Sequence, residues 1–143
     1  MIKLSCMMEL PFTAFVSVYG NSEFSQIRSL SLQEQYVAHF FETLRQGMFK
    51  VVNAQGGTLY SVRSSKVVFA AKSGTAQVFG KKGAQDDLSR DTTPRHKRNH
   101  GLCCGFVPFD KPEYAIAVIV EHGGSGLKAA APVVKEVCNI LFL

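Results

Sequence analysis

Between residues 31 and 53 apolar side chains recur every three or four positions: Tyr36, Val37, Phe40, Phe41, Leu44, Met48, Val51 and Val52. That period matches the turn of an α-helix and gives it one apolar face. Ser31 and Glu34 add an S-x-x-E capping box, which satisfies orphan amides at a helix start. Gly47 is the weak point of this helix, at about 1 kcal/mol relative to Ala. Residues 66–79 then run through Val67, Val68, Phe69, Ala70 and Ala71 into Lys72-Ser73-Gly74-Thr75 and predict a strand. Residues 101–109 predict a second strand, ended by Pro108, and residues 114–121 (YAIAVIVE) a third. The tight connection between these two makes them a hairpin. After the loop His122-Gly-Gly-Ser-Gly126, residues 127–142 predict a helix with Val133, Val134, Val137, Cys138, Leu141 and Phe142 on its apolar face. Pro132 suits only its first turn. Helix, strand, hairpin and helix in that order predict an α+β layout, an antiparallel sheet flanked by helices.

Residues 1–30 give no clear assignment. Residues 10–19 alternate loosely, with Phe12, Phe15, Val16 and Val18, and suit one strand or two, with Gly20-Asn21 as a turn. The domain is therefore read over residues 31–143, with 80–99 as a long polar loop. A chain of 143 residues holds one domain or less. With 46% hydrophobic residues and eleven Phe it has the material for a core, which excludes a disordered chain. No apolar run reaches the roughly 18 residues of a membrane helix. Glu9 and Pro11 interrupt the stretch a signal peptide needs, and Cys6 lacks the preceding apolar region of a lipidation site.

The net charge of +5 is unevenly placed: Lys81, Lys82, Arg90, Arg95, Lys97 and Arg98 stand against Asp86, Asp87 and Asp91. Such a segment is either a solvated loop or, over 81–98, a basic module for an anionic polymer. Nucleic acid is not expected, because there is no RNP-like aromatic motif and no helix-turn-helix. Cys6, Cys103, Cys104 and Cys138 form no C-x-x-C pair, and neighbouring strand residues point to opposite faces. They read as small, mostly buried hydrophobes. No cofactor and no metal are expected: Glu121 and His122 lack a third ligand. His39 has no partner in the pattern.

The segment with chemical content is Ala71-Lys72-Ser73-Gly74-Thr75-Ala76-Gln77-Val78. A cation at Lys72 draws a substrate carboxylate, and the Ser73 hydroxyl can donate to the same group. Gly74 has no side chain to hold a peptide off the strand. The Thr75 amide can point at a developing oxyanion. Four common residues are weak on their own; an ordinary strand with an exposed lysine reads the same way.

Neighbouring blocks sharpen this. R-Q-G-M-F-K-V-V-N-A-Q-G-G-T at 45–58 precedes the strand, H-G-L-C-C-G-F-V-P at 100–108 follows it, and Y-A-I-A-V-I-V-E-H-G-G-S-G at 114–126 and A-A-A-P-V-V-K-E-V at 129–137 close the chain. In this order they resemble the class B penicillin-binding proteins, in which A-G-K-T-G-T-A-Q forms the strand. The V-x-x-E-H-G-G block resembles the elongation-type members. The resemblance runs over about residues 44–142, is faint over 10–43 and is absent from 1–9.

The resemblance implies a serine peptidoglycan D,D-transpeptidase, acylated by β-lactams, whose Lys-Ser/Thr-Gly strand orients the substrate. It implies a parent on the periplasmic face of the bacterial inner membrane, with a peptidoglycan stem peptide or β-lactam as ligand. Lys72, Ser73, Gly74 and Thr75 carry over as substrate-binding residues, with Ser73 where Thr is commoner. His100 is a further candidate, near the end of the Lys72 strand. The nucleophile and its base do not carry over. Ser125-Gly-Leu-Lys128 fits S-x-x-K, but it follows the strand trio and reads as a loop serine leading into the last helix. Tyr19-Gly-Asn21 echoes a Y-x-N variant but lies too close to the Lys-Ser-Gly strand for the family order and reads as a plain turn. His122 with its glycines reads as a turn device. The expectation is a truncated transpeptidase domain, inactive alone, whose missing all-α part leaves an apolar face uncovered.

Overall fold

The computed structural model describes residues 3–9, 13–20, 32–78 and 93–143, with side chains from residue 39 onward. Five strands form one antiparallel sheet: β1 (Lys3–Glu9), β2 (Thr13–Gly20), β3 (Ala70–Ala76), β4 (His100–Val107) and β5 (Tyr114–Val120), in the order β1-β2-β5-β4-β3. Two helices accompany it, α1 (Leu32–Asn53) and α2 (Ala131–Leu141). The chain is thus α+β, with the loosely alternating start resolved into a hairpin that extends the sheet through β2 and β5. Ser31 of the capping box, Asn21 of the turn and residues 79–92 of the polar loop lie outside the described residues.

Period-two alternation decides which face is covered. Gly101, Cys103, Gly105 and Val107 of β4 are buried, as are Ile116, Val118 and Val120 of β5. The register sets Cys103 opposite Val118 and Gly101 opposite Val120, so these side chains share one face. Helix α2 closes that face with Ala131, Val134 and Cys138. Cys104, Ala115, Ala117 and Ile119 point the other way and are exposed.

Helix α1 anchors the entry to β3. Val52, Leu59 and Phe69 are fully or almost fully buried in the core. Asn53 Nδ2 donates to the Phe69 carbonyl at 2.9 Å and to the Phe49 carbonyl at 3.0 Å, tying the helix end to the incoming strand. Phe49 meets Phe109 at 4.5 Å, and the Arg45 guanidinium lies 4.6 Å from the Phe109 ring while pairing with Glu42 at 3.1 Å. The other end of α1 is more open among the described residues: Phe40 and Phe41 are each 61% exposed and Leu44 47%, and Ile119 of β5 is 40% exposed.

Several boundaries differ from the sequence reading, three of them with a clear physical reason. The strand read from residue 66 begins at Ala70, because the Ser64 hydroxyl accepts from the amides of Lys66 and Val67 and turns the chain there. The second strand ends at Val107, before a cis peptide to Pro108, which has no N–H for the ladder. The last helix is not continuous. A π turn over Gly126–Ala130 precedes α2, and Pro132 falls in the first turn of α2 proper.

Cys103 and Cys138 are buried as expected, whereas Cys104 is exposed, because even positions of β4 face the open side. Burial pushes both buried thiols up from 9.0 to about 12, with smaller upward contributions from Cys104 on Cys103 and from Cys103 on Cys138. A pKa raised in the folded state means that folding favours the protonated thiol. That contribution is complete below about pH 9 and is lost as pH rises toward 12. Iodoacetamide at neutral pH, followed by peptide mapping, should therefore modify Cys104 and spare Cys103 and Cys138. The urea midpoint should fall between pH 9 and 12. Equal labelling of all three in the folded chain would contradict the burial.

Candidate functional site

The Lys-Ser-Gly-Thr segment occupies the middle of β3, the edge strand of the sheet. The register pairs Lys72 with Cys104, Ser73 with Cys103, Gly74 with Leu102, Thr75 with Gly101 and Ala76 with His100. Lys72 and Gly74 therefore share the open face with Cys104 and Leu102. Lys72 is exposed, and its Nζ donates to the carbonyl of Ser73 at 2.9 Å, so the ammonium lies along its own strand. Ser73 is half-buried; Gly74 and Thr75 are exposed. Nothing among the described residues demands a glycine at 74. Its φ is not in the left-handed region, and a Cβ there would meet only the Leu102 Cβ, at an ordinary 3.5 Å. What the missing side chain provides is access to the strand backbone from the open side.

The covered side of the same strand is tightly backed. A Cβ on Gly126 would run into the carbonyls of Leu102 and Gly74 and stand 2.9 Å from the Gly74 nitrogen. The His-Gly-Gly-Ser-Gly loop thus presses directly against the backbone of the Lys-Ser-Gly strand. Its path is set by positive φ at His122 (54°) and Gly124 (86°), which confirms the reading of His122 as a turn residue. The Gly124 amide donates to the Asn99 carbonyl at 2.8 Å, while Asn99 Oδ1 accepts from the Val78 amide at 3.3 Å. Asn99 so clamps the exit of β3 to this loop. Neither Asn99 nor Gly126 carried a sequence signal for that role, since both depend on contacts between distant segments.

Two histidines meet beside the clamp. The His122 amide donates to His100 Nδ1 at 3.0 Å, His122 Nδ1 lies 3.1 Å from the Arg98 carbonyl, and the two rings are 4.8 Å apart. Glu121 joins no metal cluster: among the described residues no three His, Cys, Asp or Glu side chains converge. His39 is exposed on α1. Ser125 is occupied as a helix cap, its Oγ accepting from the Lys128 amide at 3.3 Å. Its carbonyl would stand 2.7 Å from a Cβ on Gly101, on the covered face, whereas Lys72 stands on the open one. Tyr19 and Gly20 end β2, with β5 and β4 between them and β3. Of the basic loop, the described part holds a 3₁₀ turn, Arg95–Lys97, and a bond from Arg98 Nε to the Thr93 carbonyl at 2.8 Å. No helix among the described residues is long and apolar enough to cross a membrane.

The described chain is thus an antiparallel sheet backed by a C-terminal helix, with Lys-Ser-Gly-Thr on its edge strand. Residues 31–139 match the profile of the penicillin binding protein transpeptidase domain, and the chain belongs to that family. Its likeness within the family is to the PBP2 type. It is 34% identical over 105 residues to the peptidoglycan D,D-transpeptidase MrdA of Escherichia coli K12, covering 73% of this chain and 16% of that protein. To MrdA of Acinetobacter baumannii it is 43% identical over 94 residues, covering 63% of this chain and 13% of that protein. Among solved structures, a complex of PBP2 and MreC from Helicobacter pylori superposes with a TM-score of 0.63 at 30% identity, covering 83% of this chain and 20% of that one. Pseudomonas aeruginosa PBP2 bound to WCK 5153 gives 0.52 at 34% identity, covering 72% and 19%. The chain thus spans about one sixth of the length of the curated relatives it matches.

Proposed function

We propose that this chain supplies the substrate-carrying sheet wall of a peptidoglycan D,D-transpeptidase and forms no acyl-enzyme on its own. The observation that carries the reading is Lys72 and Gly74 on the open face of an edge strand, with a glycine that no described neighbour requires. Lys72 attracts the carboxylate of a stem peptide or a β-lactam, a charge-assisted contact about twice as strong as a neutral hydrogen bond. Gly74 lets the ligand lie flat on the strand, and the Thr75 amide serves the oxyanion. Acyl transfer also needs an activated nucleophile with a base beside it. In this reading both come from the S-x-x-K element of the upstream all-α part, in a parent held at the periplasmic face of the inner membrane.

Incubation of the 143-residue chain with benzylpenicillin should leave its intact mass unchanged. Amide shifts at Lys72 to Thr75 should nonetheless respond to the ligand. A stoichiometric adduct, mapped to Ser125 or any other serine, would overturn the reading.

A further inference from the structure

We propose that His100 is a specificity-determining contact of this site, its Nε2–H donating to an oxygen of the acyl-donor peptide well beyond the carboxylate that Lys72 holds. The inference rests on the reading of the Lys72 strand given above. The His122 amide donates to His100 Nδ1 at 3.0 Å, and an N–H can donate only to a ring nitrogen that carries no proton. The proton of the neutral ring is therefore confined to Nε2. That nitrogen is a donor with no partner among the described residues. The His122 ring cannot compete for the same role, because its Nδ1 must donate to the Arg98 carbonyl.

Position along the strand says what this donor reads. His100 is opposite Ala76, on the face shared by Lys72 and Gly74, and it is half-buried. Four residues at about 3.3 Å each separate the Lys72 end from the His100 end by roughly 13 Å. A dipeptide, at most about 7 Å long, cannot reach from one to the other; a pentapeptide of up to about 17 Å can. His100 therefore distinguishes an extended donor peptide from its terminal dipeptide. The loop that fixes the tautomer is the one that backs Gly74, so the donor and the strand are set by the same element.

The test uses the isotope-labelled full chain, a synthetic pentapeptide ending in D-alanyl-D-alanine, and the D-alanyl-D-alanine dipeptide. His100→Asn keeps an oxygen where Nδ1 stood but removes the Nε2 donor, so it separates the clasp from the ligand contact. The wild-type chain should bind the pentapeptide about tenfold more tightly than the dipeptide, the worth of one hydrogen bond to a charged or strongly polar group. His100→Asn should bring the two within about twofold while leaving the His122 amide resonance in place. In the wild type, the ¹⁵N resonance of His100 Nε2 should move with the pentapeptide and stay still with the dipeptide. An unchanged preference in His100→Asn, with binding still mapped to Lys72 to Thr75, overturns the assignment of His100 alone. No shift at Lys72 to Thr75 with either peptide sinks the strand reading and this inference together. Should His100→Asn fail to fold, an Nε2 resonance that ignores the pentapeptide, or an Nδ1 that carries the proton, overturns it in the wild type.

Discussion

Gly126→Ala should lower stability by about 3 kcal/mol or more, at or beyond the upper end of the range for overpacking. The new methyl group would meet the carbonyl oxygens of Leu102 and Gly74 and, at 2.9 Å, the Gly74 nitrogen. All three are backbone atoms inside a paired ladder, so no rotamer change can relieve the contact. Either the loop lifts off the sheet or the edge strand moves outward. The second outcome displaces Gly74 and Thr75, so any ligand response of the Lys72 strand should vanish along with the stability. Gly47→Ala is the matched control. A Cβ there meets nothing within 4 Å, and the substitution removes the backbone entropy of a glycine inside α1. It should raise stability by about 0.5–1 kcal/mol. Urea midpoints of the two variants should move in opposite directions; a Gly126→Ala chain as stable as the parent would show that the loop does not bear on β3.

Phe69→Ala should cost about 3–5 kcal/mol, the range for emptying an aromatic site in a packed core. Phe69 is 1% exposed, and the Asn53 bridge holds its backbone at the junction of α1 and β3. Against a domain stability of about 5–15 kcal/mol, such a loss leaves little margin. At roughly 3 °C per kcal/mol for a chain of this size, the thermal midpoint should fall by about 10–15 °C. Phe41→Ala removes the same side chain where it is 61% exposed and should change stability by no more than about 0.5 kcal/mol. Differential scanning calorimetry of both variants separates a core phenylalanine from one on the uncovered face. Equal losses would mean that the Phe41 surface is covered in solution.

Ile119 exposes apolar area on the sheet face where Lys72 stands, and Phe40, Phe41 and Leu44 expose more on α1. The chain spans about one sixth of its MrdA relatives, and in the proposed reading the upstream all-α part brings the nucleophile to this side.

The elements were legible in the chain itself wherever their period is long and unbroken. Eight apolar residues at helical spacing specify α1, and short apolar runs bounded by turn residues specify β4 and β5. The Lys72-Ser73-Gly74-Thr75 segment, and its order among the neighbouring blocks, point to the transpeptidase family without any coordinates, because residue types and spacing carry that information. The N-terminal hairpin was less visible, since residues 10–19 alternate only loosely. Its pairing through β2 with β5 is a contact between segments some hundred positions apart.

Other features depend on distance in space and no local pattern encodes them. Residue spacing cannot show that the Ser125 hydroxyl caps a helix and that its carbonyl lies on the covered face; packing of the loop under Gly101 decides it. Cys104 is exposed while Cys103 is buried because α2 covers only one side of the sheet. The His122 to His100 bond and the Asn99 clamp join residues more than twenty positions apart. The amino-acid sequence by itself determined the element types and the family resemblance, both of which rest on period and residue chemistry. The tertiary structure alone decided which side of the Lys72 strand is backed, which is open, and which nitrogen of His100 keeps its proton, because each of these is set by a backbone group arriving from a distant part of the chain.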